Sequence, residues 1–297
     1  MKRREFFLKA AGGVGALWLG SKSFPRLEGA EAAARNFSAS DTVMLGATGI
    51  QTSRLACGTG TMGYGGHSNQ TRLGLQGLAD MLVHGYEENG LRFFDSAGSY
   101  GSQPAIGLAL KRLPRDEITV LTKSDARDPA GMRRDLNSFR RQLQTDYIDI
   151  LLMHEMQAAD WTTRYRKTMD VLSEAKEKGI IRAHGCSCHT LEALRAAAAS
   201  PWVEVDLVRM NPIGAHMDAD PATVASVLRR MKAAGKGVVG MKILGQGDLR
   251  HRQDEALSYA LSLGILDAMT IGAENIREQD DLVRRIARVP RSLAKAA

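Results

Sequence analysis

Residues 118–155 read ITVLTKSDARDPAGMRRDLNSFRRQLQTDYIDILLMHE, and they set the architecture of the chain. Two short apolar runs, Thr119–Thr122 and Tyr147–His154, are typical of strands that are buried on both faces. Between them, Gly131–Gln144 carries apolar residues at helical spacing. The stretch therefore predicts a strand, a helix and a second strand, which is the repeating unit of a parallel sheet.

The same alternation extends over most of the chain. Six further apolar runs predict strands at Leu55–Cys57, Arg92–Asp95, Arg182–Ser187, Val205–Met210, Gly237–Met241 and Ala268–Ile271. Helical patterns lie between them, for example at Thr71–His84, Tyr165–Lys178, Pro221–Ala234 and Asp254–Leu263. Eight strand and helix units, in a chain long enough for the ~250 residues of a typical barrel, predict a (β/α)8 TIM barrel over residues 35–297.

An open, doubly wound sheet is the main alternative to the barrel. Such a sheet binds dinucleotides through a glycine-rich turn that leads from the first strand directly into a helix. The run GTGTMGYGG at Gly58–Gly66 lacks that helix start, which favours the barrel. Before the first strand, Val43–Leu55 reads VMLGATGIQTSRL and predicts a β-hairpin that plugs the N-terminal end of the barrel.

Composition excludes several other classes of protein. The formal net charge of +7 includes six cations and three anions within residues 1–34, and the remaining charges of both signs are interleaved. No basic stripe with aromatic residues is present, so nucleic-acid binding is not expected. The three cysteines, Cys57, Cys186 and Cys188, form no CxxC pair or His/Cys cluster, so the sequence predicts buried thiols and no metal site.

The first 34 residues look like an export signal. Residues 2–9 read KRREFFLK and precede the apolar run AAGGVGALWLG, an arrangement that resembles a twin-arginine signal. Ala30-Glu31-Ala32 and Ala32-Ala33-Ala34 both offer cleavage sites. We expect a periplasmic protein that is passed folded to the twin-arginine export machinery and has no stable membrane span after processing. An uncleaved anchor or a basic amphipathic start is the alternative.

Four polar residues follow predicted strands two, three and four. Asp95 and Lys123 end their strands, His154 ends the next one, and Tyr100 lies in the loop after Asp95. The carboxyl ends of barrel strands hold the reactive groups of these proteins. A phenol can protonate the alkoxide formed when a carbonyl is reduced, a nearby ammonium lowers the pKa of that phenol, and a carboxylate offsets the ammonium. Neutral imidazole can orient the carbonyl.

These residues occur in segments that resemble the aldo-keto reductase superfamily. The resemblance rests on LACGTGTMG, FFDSAGSYG, LTKS and LLMHE, which appear in the family's order over nearly the whole of residues 35–297. It implies that Tyr100 is the proton donor, that Lys123 lowers its pKa, that Asp95 pairs with Lys123 and that His154 positions the substrate. It also implies an extended nicotinamide cofactor at the top of the barrel.

The resemblance further implies a set of cofactor-binding positions. Ser187 and Cys188 lie where the family holds the nicotinamide amide, Met241 lies where an aromatic ring often stacks on it, and Leu207 replaces a glutamine. The remaining expected positions are Asn211, Leu244, Gly245, Gly247, Gly272 and Arg277. Glu274 lies where a cation usually binds the 2′-phosphate of NADP. NADPH is nevertheless expected ahead of NADH.

The sequence thus predicts an NAD(P)H-dependent oxidoreductase that reduces an aldehyde, ketone or quinone-like carbonyl to an alcohol. A small-molecule carbonyl substrate is the expected partner. The replacements at Cys188, Leu207 and Met241 leave a second hypothesis open, a nucleotide-loaded sensor of the same fold with little turnover. A barrel hydrolase or isomerase would require paired carboxylates or metal ligands, which the spacing does not indicate.

Overall fold

The computed structural model describes residues 35–294, which form a closed barrel of eight parallel strands preceded by a β-hairpin. The hairpin strands are β1 (Thr42–Met44) and β2 (Gln51–Ser53). The barrel strands are β3 (Leu55–Gly58), β4 (Phe93–Asp95), β5 (Thr119–Ser124), β6 (Ile148–Met156), β7 (Ile181–Cys188), β8 (Val205–Arg209), β9 (Gly237–Met241) and β10 (Ala268–Ile271). Each strand pairs with the next in sequence, and β10 closes on β3. The predicted TIM barrel is confirmed.

Helices connect the strands and cover the outside of the barrel. Within residues 35–294 they are α1 (Gly74–Glu87), α2 (Gln103–Leu110), α3 (Pro129–Leu143), α4 (Trp161–Arg164), α5 (Arg166–Glu177), α6 (Leu191–Ala199), α7 (Pro221–Ala233), α8 (Gln253–Ser262) and α9 (Ile276–Ile286). Their apolar faces pack against the outward-facing side chains of the strands in one large cluster. No helix in this part of the chain has the length and apolarity that a membrane crossing requires.

A second, smaller apolar cluster fills the inside of the barrel. It contains inward-facing strand residues such as Phe93, Leu121 and Leu207. Leu45 and Ile50 of the hairpin belong to the same cluster and are fully buried. The hairpin therefore closes the N-terminal end of the barrel, as the sequence predicts, and leaves the opposite end for the site.

Several strands and helices begin or end at residues other than those predicted. Strands β6 and β7 continue to Met156 and Cys188, beyond the predicted His154 and Ser187. The helix predicted at Thr71–His84 is a 3₁₀ turn at Gln70–Leu73 followed by α1. The break between them falls at Gly74, whose φ of +72° departs from helical geometry. The predicted export signal in residues 1–34 lies outside the described residues.

Candidate active site

Three neighbouring strands bring the predicted acid, lysine and histidine together. Asp95 ends β4, and Lys123 and His154 lie near the ends of β5 and β6. The parallel pairs Asp95↔Leu121 and Lys123↔Leu152 hold these strands in register. All three side chains are buried at the C-terminal end of the barrel, the end that holds the reactive groups in proteins of this fold.

Lys123 is a buried cation with a complete set of short contacts. Its Nζ donates to Asp95 Oδ1 at 2.6 Å and to the backbone oxygen of Ser96 at 2.6 Å. The second carboxylate oxygen of Asp95 accepts from Thr270 Oγ1 at 2.9 Å. Burial alone lowers the pKa of Lys123, but the charges of Asp95 and Tyr100 reverse this and leave the pKa above its ordinary value. The lysine is therefore charged at neutral pH.

Tyr100 lies directly over this ammonium. It ends a 3₁₀ turn at Gly98–Tyr100, and Lys123 Nζ is 4.9 Å from the centre of its ring. The His154 ring packs edge-on against the phenol, with ring centres 5.9 Å apart. Gly60 and Gly63 pack against the Tyr100 ring so closely that a Cβ on either would lie within 2.4 Å of a ring carbon. The segment after β3 thus fixes the position of the phenol.

The pKa of Tyr100 shifts in the direction opposite to the predicted one. Burial raises it, Lys123 lowers it and Asp95 raises it again, and the net result is a pKa above the ordinary value of 10. The expected effect of the ammonium is present, but the loss of water around the ring outweighs it. The phenol therefore remains protonated at neutral pH, as a proton donor must be.

His154 has a partner that the sequence did not reveal. Its Nδ1 lies 2.9 Å from Asp125 Oδ1, in the segment that follows β5. The hydrogen bond to His154 lowers the pKa of Asp125, so this carboxyl is ionised and can only accept. Nδ1 consequently donates to Asp125, and Nε2 is the ring nitrogen left for a substrate. Asp125 follows Lys123 by two residues, and this position just beyond a strand end is the sequence feature that could have marked it as a site residue.

The opposite side of the barrel mouth is rich in cations. Arg209 ends β8 and pairs with Asp218, and Lys242 directly follows β9. Lys242 has a φ of +54°, a left-handed conformation that is uncommon for lysine. Burial lowers its pKa, and the charge of Arg209 lowers it further, while Glu155 and Asp218 oppose this. Neither cation was among the residues predicted from the sequence.

The predicted nicotinamide residues divide between the two faces of β7. Ser187 lies on the inward-facing side of the strand, and its Oγ accepts from the Glu155 backbone N–H at 3.0 Å. Cys188 is fully buried on the helix-facing side, with Cys186. Because side chains alternate along a strand, Cys188 does not face the barrel mouth, and its expected role at the cofactor is corrected.

The side chain of Asn211 binds backbone groups of neighbouring loops. Its side-chain amide donates to the Ala215 and Lys242 backbone oxygens at 2.8 and 3.2 Å, and its side-chain oxygen accepts from the Ala215 backbone at 3.0 Å. The residue is fully buried. Its expected contact with the cofactor is therefore corrected to a structural one, because it ties the loop after β8 to Lys242.

The loop after β9 contains two glycines with positive φ angles. Gly245 and Gly247 have φ values of +57° and +111°, which glycine adopts readily. Met241 packs against the inner cluster of the barrel, whereas Leu244 packs against the outer one. Met241 and this glycine loop therefore remain candidates for cofactor contact.

The segment after β10 differs from the expected phosphate site. Thr61 and Gln70 pack on Gly272 so closely that a Cβ there would lie 2.3 and 2.7 Å from their side chains. Asn69 donates to Glu274 Oε1 at 2.6 Å, and Glu278 Oε2 accepts from the Glu274 backbone at 2.9 Å. Arg277 is exposed on the first turn of α9. Two carboxylates and the loop after β3 thus surround the helix start that was expected to hold a phosphate.

Comparisons with known proteins identify a family that this chain resembles in sequence. The sequence profile described as "Aldo/keto reductase family" matches residues 56–262. The NADH-specific methylglyoxal reductase of Escherichia coli is 30% identical over 168 residues, which cover 49% of this chain and 51% of that protein. An aldo-keto reductase of Mycolicibacterium smegmatis is 30% identical over 160 residues, covering 52% and 53%. The chain spans about half the length of these curated relatives.

Solved structures show a similar fold. A crystal structure of a putative aldo-keto reductase from Pseudomonas aeruginosa superposes with a TM-score of 0.70 at 23% identity, covering 85% of this chain and 96% of that one. The holo form of an aldo-keto reductase from Bacillus halodurans gives a TM-score of 0.69 at 18% identity, covering 86% and 97%. At these identities the likeness concerns the fold alone.

Proposed function

The chain belongs to the aldo/keto reductase family, and we propose that it reduces a carbonyl compound to an alcohol with a nicotinamide dinucleotide as reductant. One observation carries the proposal. Lys123, buried and paired with Asp95 at 2.6 Å, lies 4.9 Å from the centre of the Tyr100 ring. An ammonium beside a protonated phenol at the barrel mouth is suited to proton donation to a developing alkoxide.

Each residue of the set has a distinct task in this proposal. Tyr100 donates its hydroxyl proton to the carbonyl oxygen of the substrate as that oxygen gains charge. The Lys123 ammonium stabilises the phenolate left behind, and Asp95 keeps the buried ammonium paired throughout. His154, held by Asp125, orients the carbonyl oxygen through Nε2. The close packing of Gly60 and Gly63 on the phenol limits its movement during the transfer.

The residues at the barrel mouth suit the pyrophosphate of a nicotinamide dinucleotide better than they suit the 2′-phosphate of NADP. Lys242 and Arg209, which is paired with Asp218, supply positive charge for a pyrophosphate, and the Gly245–Gly247 loop allows close backbone approach. Ser187 is fully buried, so its hydroxyl has to become exposed before it can bind the nicotinamide amide. When bound, the reduced nicotinamide would supply the hydride. In contrast, the negative carboxylates of Glu274 and Glu278 would repel a 2′-phosphate.

We therefore reverse the order expected from the sequence and propose NADH ahead of NADPH. Glu274, fixed by Asn69, can accept hydrogen bonds from the hydroxyls of a ribose that has no 2′-phosphate. The E. coli relative described as an NADH-specific methylglyoxal reductase supports this order and suggests small reactive aldehydes as the first substrates to examine. Ketones and quinone-like carbonyls complete the substrate class.

The proposal is tested by measuring the oxidation of NADH and NADPH by the purified protein against a panel of aldehydes, ketones and quinones. We expect turnover with at least one aldehyde and a higher kcat/KM for NADH than for NADPH. Glu274→Arg should reduce the ratio of kcat/KM for NADH to that for NADPH by raising the affinity for NADPH. Arg284→Ala, which changes an exposed residue in the last turn of α9, is the control. Preference for NADPH in the wild-type protein would contradict the assignment of Glu274.

A nucleotide-loaded sensor remains the second candidate. The buried, apolar Leu207 stands where the family usually has an amide, and Asn211 is committed to backbone contacts. Both features reduce the hydrogen bonds available to a nicotinamide. Nucleotide that copurifies with the protein and is not consumed by any member of the panel would favour this function over the reductase.

We also propose that the protein is exported folded through the twin-arginine route. The proposal rests on the KRREFFLK segment and the apolar run that follows it. Replacing Arg3 and Arg4 by lysine keeps the charge but should leave the protein in the cytoplasm. Cell fractionation and immunoblotting test this, with Lys2→Arg and Lys9→Arg as the matched control. Export of the double lysine variant at the wild-type level would contradict the proposal.

A further inference from the structure

A polar cluster lies on the outer face of the barrel wall, beneath the helices and on the opposite side of β7 from Ser187. Cys186 and Cys188 are alternate residues of β7, so their side chains share one face of the strand. Asp206 of β8 is the register partner of Cys186. All three side chains are completely buried within the described part of the chain. The reductase chemistry proposed above uses none of them.

The potential ligand atoms of these residues form a compact triangle. The two Sγ atoms are 3.7 Å apart, and Asp206 Oδ1 lies 3.4 Å from Cys186 Sγ and 3.8 Å from Cys188 Sγ. In a tetrahedral zinc site, bond lengths of about 2.3 Å to sulfur and about 2.0 Å to oxygen place two sulfurs about 3.8 Å apart and a sulfur and an oxygen about 3.5 Å apart. The observed triangle matches three corners of that tetrahedron.

A second observation points to a ligand at the same place. Asp206 Oδ2 is buried and has no hydrogen-bond partner among the described residues. A buried polar atom of this kind carries a desolvation penalty that folded proteins rarely leave uncompensated. The two oxygens of one carboxylate are too close together to fill two corners of a tetrahedron, so the two sulfurs and Asp206 Oδ1 would supply three ligand atoms. The orphaned oxygen is explained if the carboxylate binds a cation.

Charges around the cluster suit a divalent cation. Two thiolates and one carboxylate carry three negative charges, so a dication leaves one negative charge on the site. Lys236 is buried beside the cluster, where its Nζ donates to the Val203 backbone oxygen at 2.8 Å, and its charge acts on both Cys186 and Asp206. The lysine offsets the remaining charge. Asp218, the next carboxylate, is already paired with Arg209.

We propose that Cys186, Cys188 and Asp206 bind one zinc ion. Binding releases the protons of the two thiols, and the Zn–S and Zn–O bonds that form leave the cysteines unoxidised. The ion would join β7 to β8 directly behind Ser187, which lies between the two cysteines on the opposite face of β7. Zinc at this buried position has a structural role and takes no part in carbonyl reduction.

The experiment measures metal content and spectra of the full-length protein produced in medium supplemented with zinc or cobalt and purified without chelators. The wild-type protein should contain about one zinc per chain, and the cobalt form should show thiolate-to-cobalt charge-transfer bands in the near-ultraviolet. Cys186→Ser and Cys188→Ser should each reduce the metal content at least tenfold. Cys57→Ser removes a buried thiol of β3 that lies outside the cluster, and it should retain the metal.

Two results would overturn the proposal. One is less than about a tenth of a metal ion per chain in the zinc-supplemented wild-type protein, which would indicate that the cluster is held by hydrogen bonds between protonated groups. The other is full metal content and an unchanged cobalt spectrum in both serine variants. If either serine variant fails to fold, Asp206→Asn, which keeps the shape of the side chain, is measured in its place. Its cobalt form should lose the visible absorption bands that are typical of tetrahedral cobalt.

Discussion

At the scale of single residues, the central feature is a lysine charge that is buried among partners. Removing an ammonium from water is costly, and Lys123 tolerates it because Asp95, Ser96 and the Tyr100 ring surround its Nζ. The same burial raises the pKa of Tyr100. In the reaction we propose, proton donation would rely on a phenol that stays protonated in the resting protein and a cation that stabilises the phenolate once it forms.

This balance predicts the pH dependence of the reaction. A proton donor is active while protonated, so a pKa raised above the ordinary value extends the active range upward. Loss of rate due to ionisation of Tyr100 should begin only near or above about pH 10. The measurement is the single-turnover rate of carbonyl reduction as a function of pH. A decline centred near about pH 8, in a range where the protein stays folded, would contradict the direction of this shift.

Asp125 provides a second prediction at this scale. Asp125→Asn removes the charged acceptor of the His154 Nδ1–H, so the ring loses its fixed orientation. We expect kcat to fall by about 10- to 100-fold, within the range of acid–base contributions, with nucleotide affinity unchanged. Asp116→Asn, an exposed acid near the start of β5, is the matched control. If Asp125→Asn retains the wild-type kcat, the carboxylate has no part in positioning His154.

Single residues also show the limits of reading the sequence. Asp95, Tyr100, Lys123 and His154 could be predicted because each lies at or just after the end of an apolar strand. Cys188 was placed at the cofactor because the family motif was carried over without the alternation of β7. Asp206 could not be connected with Cys186 and Cys188, because the register of β7 and β8 brings them together across the sheet.

At the scale of elements, the segment between β3 and α1 packs against both the Tyr100 ring and the loop that precedes α9. Gly60 and Gly63 pack on Tyr100, whereas Thr61 and Gln70 pack on Gly272. The sequence showed a glycine-rich run here but not what it packs against, since that depends on contacts between distant loops. The sequence could not show that Thr61 and Gln70 cover Gly272, the expected phosphate position, because this contact also joins distant loops.

Gly60→Ala tests the role of this segment. The added Cβ would lie 2.1 Å from a ring carbon of Tyr100, so the phenol or the loop has to move. We expect a decrease in kcat of about tenfold or more, because misplacement by about 1 Å has large effects on rate. Gly77→Ala in α1, where the new Cβ makes only ordinary contact, is the control and should keep full activity. Activity assays and thermal melts of both variants distinguish displacement of the phenol from unfolding.

At the scale of the whole molecule, the hairpin closes one end of the barrel, and Asp95, Lys123 and His154 lie at the other. The alternation of strands and helices was sufficient to predict this architecture, because each strand is short, apolar and followed by a helical pattern. β6 and β7 extend further than predicted because Met156 pairs with Cys188, beyond an irregularity in the register between Met153 and Met156. Pairing across such an irregularity depends on the neighbouring strand and cannot be read from the sequence of one strand.

The hairpin plug predicts a stability effect far from the active end. Leu45→Ala removes a fully buried side chain from the inner cluster and should lower the free energy of unfolding by about 2–5 kcal/mol. Met44→Ala changes the neighbouring residue, which is 42% exposed, and should have an effect within about 0.5 kcal/mol. Urea denaturation measures both. Equal midpoints for the two variants would show that the hairpin does not support the barrel core.

The most direct test of the account is the single-turnover rate of carbonyl reduction by Tyr100→Phe, measured beside the dissociation constant for NADH. The variant keeps the ring between the two glycines and beside Lys123, but it removes the transferable proton. We predict a rate lower by about 10²- to 10⁴-fold with a dissociation constant within about twofold of wild type. A Tyr100→Phe variant that reduces the same carbonyl at the wild-type rate would contradict the assignment of Tyr100 as the proton donor.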